Sequence, residues 1–149
     1  MTLDPDDAGT FWLSDTPQQP GSMTWGNQIP RIATWLHLRD NNSGRGLTVF
    51  NTHWDHIHQG SREKSATLIS QRIDARKHRD EPVALLGDFN STEGNPAVDL
   101  LAGRSGGWSH ALLDTYQALH AGVKARRTLH FWNNNKDGWA KVDHILVSK

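Results

Sequence analysis

Two apolar runs in this chain each end in a cluster of polar side chains suited to handling water and phosphate oxygen. Leu47-Thr48-Val49-Phe50 leads into Asn51-Thr52-His53-Trp54-Asp55-His56, and Val83-Ala84-Leu85-Leu86 leads into Gly87-Asp88-Phe89-Asn90. Asp and Asn are poor strand formers, so their place at the ends of apolar runs points to the rim of a sheet, where sites are commonly built. In extended chain Asp88 and Asn90 lie on one side and Phe89 on the other, facing a core. A carboxylate and an amide on one face offer hard oxygen ligands for Mg²⁺ and an acceptor able to hold or deprotonate water. Taken by itself, Gly87-Asp88-Phe89-Asn90 reads more simply as a turn in which Asp88 caps the next helix. His53, Asp55, His56 and His58 are zinc-type ligands, but no second cluster with metal-ligand spacing accompanies them, which argues against zinc. Asp143 stands inside the apolar run Val142-Asp143-His144-Ile145-Leu146-Val147. If buried there, its carboxylate must be paired, either with an Arg or Lys or in orienting a catalytic histidine.

The elements that must position these groups follow from periodicity. Residues 31–38 alternate, with Ile32, Leu36 and Leu38 on one face and Arg31, Ala33, Trp35 and His37 on the other. Period two marks a strand. A second strand over 47–52 follows the turn signal Asp40-Asn41-Asn42-Ser43-Gly44, so 31–52 is predicted to be a β-hairpin. A short strand near 10–13 lies in a Pro-rich lead-in. From Ser61 to about Arg79 the spacing of Ala66, Ile69 and Ile73 predicts an amphipathic helix with Ser61 as its cap. The unbroken run 83–86 suits a strand buried on both faces. Asn95-Pro96 with Gly103 brackets a short helix. Residues 110–120 are ambiguous, and 128–132 and 142–147 are further strand candidates. The pattern of hairpin, helix, strand, helix and strands is that of a mixed α/β or α+β chain.

Composition narrows the class of function. The 149 residues suit one domain, and a hydrophobic fraction of 36% permits a core but is low for a self-sufficient globule. A net charge of zero gives no general basic face for nucleic acid. There is no Cys, which excludes disulfides and thiolate metal sites, and no run approaches the ~18 apolar residues of a membrane span.

Asn51-Thr52-His53-Trp54-Asp55-His56, Gly87-Asp88-Phe89-Asn90 and Lys141-Val142-Asp143-His144-Ile145-Leu146-Val147-Ser148, in this order, resemble three motifs of the endonuclease/exonuclease/phosphatase family. Gly9-Thr10-Phe11-Trp12-Leu13-Ser14 and Pro30-Arg31-Ile32-Ala33-Thr34-Trp35 resemble segments of its bacterial members. The resemblance covers essentially the whole chain, residues 1–149, as a partial domain. It implies an α+β fold, part of a deoxyribonuclease I-like four-layer α/β-β/α sandwich incomplete at both ends. It also implies phosphodiester or phosphomonoester hydrolysis with Mg²⁺ (or Mn²⁺). By the same resemblance, His53 hydrogen-bonds the scissile phosphate, Asp88 activates the attacking water, and Asn90 holds phosphate or metal. Asp88 and Asn90 are the implied metal ligands, Asp143 orients the catalytic histidine, and Arg31 faces the substrate phosphate. His144 is read as structural.

The family's first motifs, an Asn and the Glu that is its principal metal ligand, are expected before residue 1, and its Ser-Asp-His motif after Lys149. The enzymatic reading therefore concerns the full-length protein. The alternative for the isolated chain is an inactive fragment or a non-catalytic binding module. The phosphate-ester substrate is left open among nucleic acid, phospholipid and sugar phosphate, as is the oligomeric state. A half-sandwich is also expected to leave Ile32, Leu36, Leu38, Val49 and the 83–86 run without their full cover.

Overall fold

The computed structural model describes residues 2–123, 127–129 and 139–149, with side chains from residue 7 onward. The alternating segment and the run after the turn form β2 (Ile32–Arg39) and β3 (Gly46–His53), an antiparallel pair that matches the expected hairpin. Their turn closes on Asp40, whose carboxylate accepts from the Asn42 and Ser43 N–H groups and from the Ser43 hydroxyl. β1 (Thr2–Trp12) pairs with the outer edge of β2 and is much longer than the short strand expected near 10–13. Pro5 is tolerated because β1 is an edge strand, and it falls where the register shifts between Leu3 and Ala8.

Helix α1 (Gln59–Asp74) buries Ala66, Ile69 and Ile73 as the spacing predicts, but its ends differ. The start is set upstream by Asp55, whose Oδ2 accepts from the Ile57 and His58 N–H groups at 2.9 and 2.7 Å, so Ser61 lies inside the helix and is buried. The end comes earlier than Arg79. The Arg76 guanidinium gathers the carbonyls of Ile73, Arg79 and Glu81 at 2.7–2.9 Å and turns the chain toward β4 (Val83–Asp88). α2 (Pro96–Leu101) has the expected Asn95 cap, which accepts from Ala97 N–H. The ambiguous 110–120 stretch resolves into β5 (Leu113–Asp114) and α3 (Thr115–Leu119). The chain ends in β6 (Asp143–Val147). Of the expected strand 128–132, Leu129 forms an isolated antiparallel bridge to Ala140, and residues 130–138 lie outside the described part.

The six strands make one sheet in the order β1-β2-β3-β4-β6-β5. β3 and β4 are parallel, joined by the crossover through α1, and the other pairs are antiparallel. The core lies between one sheet face and the pair α1 and α2, where Phe11, Ala33, Phe50, Val83, Leu85 and Leu146 meet Ile69, Ile73, Val98 and Leu101. Among the described residues this is an α+β architecture in which α1 and α2 cover one face of a six-stranded sheet. No helix among the described residues is long and apolar enough to cross a membrane.

The covered face of β2 is the more polar one, with Ala33 and His37 buried, whereas Ile32 is 41% exposed and Leu36 and Leu38 are half-buried. The 83–86 run is not buried on both faces as expected: Val83 and Leu85 are buried while Ala84 and Leu86 are half-buried. A crossover helix covers one side of a sheet only, so every second residue faces outward whatever its polarity. In β6 the alternation gives a direct test. Leu146 is fully buried and Ile145 is 54% exposed. Leu146→Ala is expected to lower stability by about 2–5 kcal/mol and Ile145→Ala by under about 1 kcal/mol in urea unfolding of this chain. The reverse ranking would mean that the sheet faces are assigned the wrong way round.

Candidate functional site

The structure brings three of the sequence-derived side chains to one rim of the sheet. His53 closes β3 beside Asp88, its register partner at the end of β4, and Asp143 opens β6 opposite Asp88. His53 Nε2 lies 3.6 Å from Asp88 Oδ2, with the two side chains 58% and 31% exposed. Asp143 is exposed, and among the described residues no ion pair or hydrogen bond reaches its carboxylate. The burial that would have demanded a partner for it is absent.

Each rim residue is flanked by a ring that points the other way. Trp54, Phe89 and His144 are buried, with Trp54 and Phe89 stacked at 4.3 Å between centroids and Phe89 and His144 at 5.1 Å. The stack ties together the ends of three strands and leaves their polar neighbours facing out. Phe89 thus takes the inward place expected of it. Asn90 does not continue the pleat: its φ of 46° turns the backbone into the left-handed region, which Asn tolerates better than most residues. Its N–H donates to Asp88 Oδ1 at 2.8 Å and its side-chain Nδ2 to the Trp54 carbonyl at 2.9 Å. Asp88 is therefore the acceptor of a tight turn onto Asn90, and the next helix is capped by Asn95 instead.

Arg31 is placed differently. It is buried, with Nη2 3.0 Å from His56 Nδ1 and Nε 3.8 Å from Asp55 Oδ1, and among the described residues no ion pair joins it to Asp88. Asp55 is buried as well. Burial pushes its carboxyl pKa up, but the His58 and Ile57 N–H groups and the Arg31 charge outweigh this and hold it below the usual value. Asp55 and His56 thus fasten the start of α1 to β2, and the zinc-type grouping of 53–58 does not form a cluster of three ligands.

Behind the rim lies a network that local sequence did not announce. Lys141 Nζ donates to Asp114 Oδ2 and to His144 Nδ1, both at 2.9 Å, and His144 Nε2 donates to the Ser91 carbonyl at 2.9 Å. Lys141, Asp114 and His144 are all buried. This fixes His144 as the structural residue expected and clamps β6 to the turn after Asn90. Asp114 lies 27 positions from Lys141, so no local spacing could have linked them.

Comparison with known proteins places the fold in context. Residues 5–149 match the model of the Endonuclease/Exonuclease/phosphatase family, and the chain belongs to that family. A family member of Bacteroides thetaiotaomicron superposes with a TM-score of 0.83 at 29% identity, over 98% of this chain and 51% of that one. A mannosyl-6-phosphatase of the same organism gives 0.80 at 28% identity, over 97% of this chain and 54% of that one. An uncharacterised protein of Acanthamoeba polyphaga mimivirus is 36% identical over 85 residues, 55% of this chain and 31% of that protein. The chain thus spans about half the length of these solved relatives and a smaller share of the viral one.

Two predictions follow from the geometry. Gly87 has φ 138°, and a Cβ there would overlap the Thr52 carbonyl across the β3–β4 pair. Gly87→Ala is expected to cost at least about 1–3 kcal/mol in chemical denaturation, and amide exchange at residues 52–54 should quicken. An unchanged midpoint would refute the close approach. For Asp114, burial raises the carboxyl pKa, but the hydrogen bonds from Lys141 and the Gln117 N–H and the close approach of the His144 ring lower it more, so the folded value lies below 3.8. Its stabilising contribution is complete above the unfolded value and fades as pH falls through the lower, folded one. Asp114→Asn should therefore cost about 3–5 kcal/mol at pH 7 and flatten the loss of stability below about pH 4. Parallel pH–stability curves for the two proteins would show that Asp114 is not the group responsible.

Proposed function

We propose that the protein to which this chain belongs is a metal-dependent phosphoesterase whose site is the rim of His53, Asp88, Asn90 and Asp143. The observation that carries this reading is the meeting of His53, Asp88 and Asp143 on three adjacent strand ends, open to solvent, in a chain of this family. Asp88 is the acceptor that aims water in line with the phosphorus and takes its proton as the new P–O bond forms and the ester P–O bond breaks. His53 donates to a phosphate oxygen. Asp143 accepts the N–H of a histidine that the described residues do not supply. Arg31, already engaged by Asp55 and His56, is assigned to positioning rather than to phosphate contact.

The donor set fits a hard cation held sparsely. The Asn90 amide nitrogen is engaged by the Trp54 carbonyl, which leaves the amide oxygen, with the Asp88 carboxylate, as the oxygen ligands. One or two protein oxygens completed by water and substrate are characteristic of Mg²⁺, and Mn²⁺ accepts the same ligands. Bound there, the cation would neutralise charge on the phosphate and help stabilise the leaving oxygen.

The likeness to a mannosyl-6-phosphatase and the zero net charge favour a sugar phosphomonoester over a long nucleic acid. The full-length protein, assayed with Mg²⁺ on mannose 6-phosphate and on an aryl phosphodiester, is expected to turn over the monoester faster and to lose activity with EDTA. Asp88→Asn should lower kcat by about 10²–10⁴-fold. The 149 residues alone are expected to be inactive, since groups that act as a unit fail together. EDTA-resistant turnover, or an Asp88→Asn variant as active as the parent, would overturn the assignment.

A further inference from the structure

A second cluster of ligand-type side chains stands at the opposite end of the same strands. His37 is the register partner of Thr48, five residues before His53 along β3, which puts it about 17 Å from the rim. The register shift in β1 serves it: Leu3 pairs with Leu38 and Ala8 with Leu36, so residues 4–7 stand opposite His37 alone and Asp7 is turned onto it. Asp7 and His37 are buried, and His78, in the turn after α1, is half-buried. Asp7 Oδ2 lies 3.5 Å from His37 Nδ1 and 3.4 Å from His78 Nε2, and the ligand atoms of all three residues lie within 4.8 Å of one another.

We propose that Asp7, His37 and His78 form a zinc-type site that fastens β1 and β2 to the connection before β4, separate from the phosphate-handling rim. Three features carry it. First, Zn–N and Zn–O bonds of ~2.0–2.1 Å in a tetrahedron set ligand atoms about 3.3–3.4 Å apart, and two of the three edges already have that length within about 0.2 Å. Second, His37 is held from behind: its Nε2 faces Glu81 Oε2 at 2.5 Å, on the far side of the ring from the Nδ1 that points at Asp7, and the His37 and His78 rings stack at 4.0 Å and 15°, with one nitrogen of each within 3.5 Å of the same Asp7 oxygen. A carboxylate behind a ligating histidine is the usual orienting partner of a metal site.

Third, the outer charges are already placed. Lys77 Nζ meets the other Asp7 oxygen, Oδ1, at 3.3 Å, and Arg39 Nη2 meets Glu81 Oε1 at 3.6 Å, so the inner oxygens are the ones turned toward His37. Gly46 makes room for this: a Cβ there would overlap the Glu81 carboxylate and crowd the His37 ring. The His78 side chain is 23% exposed, so a water completing the tetrahedron would enter from its side. Two imidazoles and a carboxylate select Zn²⁺ over Mg²⁺, so the two ends of the sheet differ in the metal they take.

The test is calorimetric titration of the purified protein with Zn²⁺ at pH 7, with Co²⁺ as a spectroscopic substitute. One equivalent of Zn²⁺ is expected to bind, and Co²⁺ should show the intense visible bands of a four-coordinate site, a readout that needs no variant. His78→Ala should weaken Zn²⁺ binding at least about 100-fold and Glu81→Gln about 10–100-fold, while Asp88→Asn leaves it unchanged. Absence of stoichiometric binding, a six-coordinate Co²⁺ spectrum, full affinity in His78→Ala, or loss of binding in Asp88→Asn would each overturn the proposal. None of these outcomes depends on whether the rim hydrolyses phosphate esters.

Discussion

The stack of Trp54, Phe89 and His144 is the contact on which the organisation of this molecule turns. Each ring follows or precedes a polar residue at a strand end, and each is buried in the same layer beneath the sheet. Burying three large rings against one another is strongly favourable, and aromatic pairs add about 0.5–1.5 kcal/mol beyond their area. Because side chains alternate along a strand, fixing the rings inward obliges His53, Asp88 and Asp143 to face outward. The candidate site is thus a by-product of core packing, held as firmly as the core itself.

Two further constraints hold the rim in register. The parallel β3–β4 pair closes tightly enough beside Gly87 that only a residue without Cβ fits against the Thr52 carbonyl. On the far side of the stack, Lys141 is a buried cation shared by Asp114 and His144, and it locks β6 to β5 and to the Ser91 turn. A buried charge left without its partner is costly, so this arrangement specifies one position for β6 and with it the place of Asp143. Asp55 and Arg31 do the same for the start of α1.

The two ends of the central strands carry different chemistry for related reasons. At one end the strands stop, and an oxygen-rich, solvent-exposed group results. At the other, the shift in β1 and the return of the chain after α1 fold Asp7, His78 and Glu81 around His37, giving a buried, nitrogen-containing group. Burial is the discriminating factor. Polar groups at an open rim are solvated and can meet substrate, whereas the same types in the interior must satisfy one another or a bound cation.

The sequence by itself determined the local elements and the polar identity of the rim. Period-two alternation located β2, the turn signal at 40–44 and the run after it located β3, the Ala66-Ile69-Ile73 spacing located α1, and the motifs after 50 and 86 marked His53, Asp88 and Asn90. These are properties of neighbours along the chain, and short-range geometry is enough to read them. Only the tertiary structure decided which face of β2 is covered, since that depends on the side of the sheet taken by the crossover helix. It also decided that β1 runs the length of β2, that Arg31 serves Asp55 and His56, and that Asp114 reaches Lys141. Asp7, His37 and His78 became a cluster in the same way, across 30 and 41 positions of chain. Such contacts arise from strand order and register, which are set by how the whole sheet buries its apolar area and not by any single segment.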